Sequence, residues 1–75
     1  MEDLIELLLD ELYFPAQAQD AAARAGIGWP QALPVLTHME AAGLIRAEDF
    51  TEEPIGPDTL LVCTKKGLMR ANGLA

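Results

Sequence analysis

The chain is poor in the side chains from which reactive sites are commonly built. It holds one cysteine, one histidine, one tryptophan and five basic residues. Cys63 alone cannot form an internal disulfide, and with His38 as the only imidazole a zinc site fails on ligand count. Cys63 lies within LLVCT, where a buried strand thiol is the expected role. There is no glycine-rich phosphate loop and no Ser/His/Asp or Cys/His set whose spacing would justify nucleophilic catalysis. The adjacent Glu52 and Glu53 lack the alternating ligands of a calcium loop. These absences point away from an enzyme, a cofactor or a small-molecule substrate. No apolar run approaches the ~18–20 residues that cross a bilayer. Residues 1–14 carry Glu2, Asp3, Glu6, Asp10 and Glu11 and no cation, the opposite of a secretory leader. The expectation is a soluble, cytoplasmic protein with no membrane partner.

What is present is a single small domain. With 75 residues, 51% of them apolar, the chain can build a real but modest core. Domains this short are often marginal alone, so a homodimer or another partner would help. Twelve acids against five bases leave a net charge of −7. Nucleic-acid modules usually carry a basic patch that displaces counterions from phosphates. A local basic face can still work on an acidic protein, so the position of each charge matters.

Residues 3–13 place apolar side chains at 4, 5, 8, 9 and 12, which predicts a first helix with one apolar face. Asp3 is its N-cap, with Glu6 in the capping-box position, and Pro15 follows its end. Leu7 falls off the stripe, as a lone exposed leucine or a dimer contact. Residues 17–25 read as a second, alanine-rich helix closed by Gly26. A third helix spans about 30–42, with Gly43 beyond its end and Leu44 and Ile45 returning to the core. Pro30 suits the first helical position. Pro34 would crowd the carbonyl of residue 30, so a bent or 3₁₀-like entry is expected. LIRAEDF (44–50) and TLLVCT (59–64) read as the strands of a hairpin with a long acidic tip. Thr64 and Gly67 close its second strand, and residues 66–72 form a last short helical turn.

Helix, helix, helix and hairpin is the order of a winged helix-turn-helix, and three stretches carry that resemblance. AAARAGI (21–27) resembles the LAxxLGI of a first helix-turn-helix helix and turn. LTHMEAAGLI (36–45) resembles LxxLExxGLI, with Met39 in the second leucine position. LVCTKKGL (61–68) resembles the YxLTxxG that ends the wing in MarR-like and PadR-like regulators, with Cys63 where leucine is usual. GIGWPQALPVLTHMEAAGLI is also similar to the small C-terminal winged-helix domain of the DprA DNA-processing family. The resemblance covers roughly residues 17–68. It implies a small α+β fold of three helices and a β-hairpin wing. It also implies a DNA-binding regulator or DNA-processing accessory, although winged helices serve as protein-docking modules too.

Two readings of the surface stay open. In a DNA reader the outer face of the third helix meets bases and the wing meets backbone. Gln31, Thr37 and His38 are then the base-facing candidates, and Arg24 and Arg46 the phosphate contacts. Lys65 and Lys66 lie after the wing, where solvated surface is the plainer role; a dimer would gather Arg24, Arg46, Lys65 and Lys66 on one face. Against this stand Asp49, Glu52, Glu53 and Asp58 around the wing tip, where phosphate would lie. In the protein-docking reading, Trp29, Pro30, Leu33 and Pro34 form an exposed apolar patch. The competing role for Trp29 is to fold back over the alanine-rich second helix. His38 is a surface polar residue, with pH sensing as the alternative.

Overall fold

The computed structural model describes residues 2–73. Ile5, Leu8 and Leu9 recur at helical spacing and define α1 (Glu2–Glu11), whose apolar stripe is fully buried. Glu2 and Asp3 lie in its first turn, where acids favour the helix dipole. The amide of Leu12 still donates to Leu8, and that of Tyr13 donates to Asp10, before Pro15 forbids continuation. The helix thus ends two residues short of the span expected from sequence. Then follow β1 (Ala16–Gln17), α2 (Ala18–Arg24), α3 (Trp29–Ala41), β2 (Ile45–Ala47), β3 (Leu60–Cys63) and α4 (Lys65–Ala71). This is a small α+β fold of four helices and a three-stranded antiparallel sheet in the order β1-β3-β2. Among the described residues no helix is long and apolar enough to cross a membrane.

Other elements differ from the expectation too. Gln17 and its neighbour Ala16 pair with Leu60 and Leu61 as a strand, so α2 starts at Ala18. Neither alanine nor glutamine has a strand signature; the pairing is imposed by β3. The hairpin strands are also shorter than 44–50 and 59–64, because the chain turns at Ala47, where the Phe50 amide donates to the Ala47 carbonyl. α3 starts at Trp29, one residue early, and runs through Pro34 without interruption. Its entry is tight: the amides of Gln31 and Ala32 both donate to the Gly28 carbonyl, a 3₁₀-type and an α-type bond on one acceptor. The carbonyl of Pro30 loses its helical donor to Pro34 but belongs to an exposed residue, so water can serve it.

α2 and α3 leave by the same device. After α3 the Gly43 amide donates to Glu40 and the Leu44 amide to Met39, with Gly43 at φ 78°. This Schellman pattern needs a left-handed residue that glycine adopts without strain. Gly26 and Ile27 repeat it after α2, at 3.1 Å to Ala23 and 2.9 Å to Ala22. In each case the apolar residue that follows, Ile27 or Leu44, drops into the core.

The core lies where α1 packs against α2, α3 and α4. Leu8, Leu12, Leu36, Met39, Ile45 and Leu61 are among its largest fully buried side chains. Ala18, Ala21 and Ala32 are fully buried as well, which lets α2 and α3 approach closely. Burial of this kind stabilises by roughly 25 cal/mol per Å² of apolar surface.

The last helix is stitched on by the TKKG segment. The Thr64 amide donates to the Leu44 carbonyl, and its hydroxyl donates to the Gly43 carbonyl while accepting from the Gly67 amide as the N-cap of α4. Lys66 Nζ donates to the Ala42 carbonyl at 2.9 Å, satisfying the end of α3. At Gly67 the backbone of α4 lies so close to Leu44 that a Cβ would collide with the Leu44 carbonyl oxygen. In an open helix, Gly→Ala would stabilise by about 1 kcal/mol. Here the clash reverses the sign, and Gly67→Ala should destabilise by at least ~2 kcal/mol. Urea unfolding of the variant checks this: a midpoint at or above that of the parent would mean that α4 does not pack as described.

Candidate functional site

α3 turns Ala32, Val35, Leu36 and Met39 inward. The opposite side exposes Pro30, Gln31, Pro34, Thr37, His38 and Ala41. Gln31, Thr37 and His38 therefore share one outer face, but they share it with Pro30, Pro34 and Ala41, and no lysine or arginine joins them. Trp29 and Leu33 are turned partly inward, half-buried against the core, while Pro30 and Pro34 stay exposed.

The basic residues are for the most part engaged within the fold. The Arg46 guanidinium stacks on the Phe50 ring at 4.1 Å and donates to the carbonyls of Ala47 and Glu48 at 3.1 and 3.2 Å. Arg70 forms an ion pair with Glu2, and Lys66 holds the end of α3. Arg24 and Lys65 are exposed and carry no such contact among the described residues. They do not stand together. Arg24 lies four residues before the α3 N-cap Gly28, whereas Thr64, beside Lys65, holds the Gly43 carbonyl at the other end. The 13 residues of α3 rise ~1.5 Å each, so about 20 Å of helix separates the two ends.

The hairpin loop is folded back rather than projecting. Its carbonyls at Thr59 and Pro57 accept from the first amides of α2, Ala18 and Gln19, at 2.9 and 3.0 Å. They serve the helix start that lacks a side-chain cap. Gln19 Nε2 donates to Asp58 at 3.0 Å, the Gly56 amide donates to the Thr59 hydroxyl, and Ile55 is buried beneath. Asp49 and Thr51 accept from the amides of Thr51 and Glu53. Glu48, Asp49, Glu53 and Asp58, with Leu60, line an open depression of about 460 Å³ beside this loop. A phosphate approaching here would meet four carboxylates.

Among the described residues the most exposed large apolar side chains are Phe14 at 75% and Phe50 at 72%, followed by Tyr13 at 51% and Leu7 at 45%. Of these, only Leu7 stands out from its place off the helical stripe. Tyr13 and Phe14 follow the last turn of α1, where helical periodicity has ceased to assign sides; their rings meet edge-on at 5.5 Å. Phe50 is held at φ 58°. That conformation is uncommon for a bulky residue and costs on the order of 1 kcal/mol, offset by its stack on Arg46, about 0.5–1 kcal/mol. An aromatic residue in an acidic turn is visible in sequence, but nothing there marks its backbone as left-handed. Cys63 is half-buried, with its thiol toward the Leu9 carbonyl at 3.8 Å, and burial pushes its pKa up.

No protein-family model matches the chain, and no curated protein or solved structure does either.

Two outcomes follow. Trp29→Ala should cost about 2 kcal/mol, since a half-buried aromatic loses part of the 3–5 kcal/mol of a full truncation; thermal unfolding unchanged from the parent would place the indole off the core. Cys63 should react with iodoacetamide at pH 8 more slowly than a free thiol and reach the free-thiol rate in urea, because a raised pKa leaves less thiolate. Equal rates in the folded and unfolded states would contradict that burial.

Proposed function

We propose that the chain is a non-catalytic, winged-helix-like binding module that docks a protein partner. Three helices, the turn at Gly26–Gly28 and the strands after Gly43 support the winged-helix-like reading. The observation that carries the protein-docking choice is the fate of the five cations. Arg46, Lys66 and Arg70 are engaged within the fold, and Arg24 and Lys65 stand at opposite ends of α3. An exposed helix face without cations and a carboxylate-lined hairpin loop give phosphates little to bind. Duplex affinity depends heavily on clustered lysine and arginine, and like charge at an interface suppresses the wrong partner.

The DNA-binding reading retains one specific support. Gln31, Thr37 and His38 share the exposed face of α3, the position from which such frames read bases. On that reading Arg46→Ala weakens binding to all sequences and flattens its salt dependence. The protein-docking reading requires neither cofactor nor catalysis.

The discriminating measurement is fluorescence polarisation of a labelled random duplex at low salt. Non-specific DNA binders reach Kd values of roughly 10⁻⁴–10⁻⁶ M even at physiological salt. The expected outcome is no binding at tens of micromolar protein; saturable, salt-sensitive binding would restore the DNA reading.

A further inference from the structure

We infer that the outward face of α1, continued by Tyr13 and Phe14, is the docking surface for a cationic, partly apolar segment of a partner protein. This rests on the protein-docking reading above and names the partner's chemistry.

Asp3, Leu7 and Asp10 are spaced four and three residues apart, so they share one line along the side of α1 opposite its buried stripe. Glu6 flanks that line, and all four are exposed. Tyr13 and Phe14 come directly after the helix, three and four residues beyond Asp10, and carry two exposed rings set edge-on. The face therefore combines three apolar anchors with a rim of carboxylates. Exposed aromatic residues commonly anchor interfaces, and their ring faces attract lysine and arginine.

The charges identify the occupant: Asp3 suits the helix start, but the repulsion along the face is relieved from within the fold on one flank alone, where Arg70 borders the same depression as Glu6 and Asp10. Asp3 and Glu6 are i, i+3 neighbours, and Glu6 and Asp10 are i, i+4 neighbours, so both pairs repel. Asp10 and Glu11 sit in the last turn, which holds no basic residue and where the helix dipole disfavours anions. Among the described residues only Glu2 has a cationic partner. A segment bearing lysine or arginine would relieve each of these repulsions, and its apolar residues would cover Leu7 and Phe14. A second copy of this chain would bring the same carboxylates together, and a phosphate-bearing surface would be repelled.

The test titrates the intact, ¹⁵N-labelled chain with three fluorescent probes: an amphipathic Lys/Leu peptide, an oligolysine without apolar residues, and a random DNA duplex. Anisotropy is read at about 20 and about 200 mM salt, where screening differs strongly. The Lys/Leu peptide should bind at least about tenfold more tightly than oligolysine, lose affinity with salt, and shift amide resonances in residues 3–14. Phe14→Ser and Leu7→Gln should each weaken it about tenfold with thermal unfolding unchanged. No peptide binding, equal affinity for oligolysine, or shifts confined to residues 29–34 or 48–60 would overturn this surface while leaving protein docking in place. Binding of the duplex would overturn the docking reading itself.

Discussion

Burial of one apolar stripe organises this small domain. Ile5, Leu8, Leu9 and Leu12 enter the core from α1 and its last turn, and α2, α3 and α4 all pack on that helix. A chain of this size has little surplus apolar surface, so the orientation of α1 is tightly constrained. The same constraint turns Asp3, Glu6, Leu7 and Asp10 outward. The acidic face is thus the reverse side of the stripe that makes the core. Arg70 then ties α4 to the start of α1 through Glu2.

Charge is partitioned by the same logic. The cations serve the fold at places where backbone carbonyls or a carboxylate need a donor: the hairpin turn for Arg46, the end of α3 for Lys66, the start of α1 for Arg70. Most acids face solvent. Among the described residues they gather along α1 and around the hairpin loop, where Asp49 and Asp58 also accept local hydrogen bonds. The proposed function follows from this partition more than from the order of the elements. A frame of three helices and a hairpin can be aimed at nucleic acid or at protein, and the distribution of positive charge is what separates the two.

The features that were legible in sequence have a local cause. Gly26 and Gly43 mark left-handed helix exits, and the stripe in residues 3–13 marks an amphipathic helix; each follows from a short run of residues. The features that were not legible depend on contacts distant in the chain. Ala16 and Gln17 become a strand only because Leu60 and Leu61 lie beside them. The first hairpin strand ends early because the chain turns at Ala47, and beyond that turn the loop carbonyls of Pro57 and Thr59 bind the first amides of α2. The pattern predicts a short helical turn over 66–72, and α4 is there, but the roles of Thr64 as its cap and of Gly67 as its seat against Leu44 depend on a contact more than twenty residues away. Whether Trp29 joined a patch or the core could not be settled from its position, since an indole suits both, and it is half-buried. The basic residues showed the largest gap: their number and order were plain, but their partners were not.

Arg46 belongs to the hairpin, held there by the Phe50 ring and two backbone carbonyls. Nuclear spin relaxation of the arginine Nε–H groups tests it most directly. Arg46, stacked on Phe50 and bonded to two carbonyls, should show a high order parameter, above about 0.8, whereas exposed Arg24 should fall below about 0.6. Arg46 as mobile as Arg24 would contradict the account.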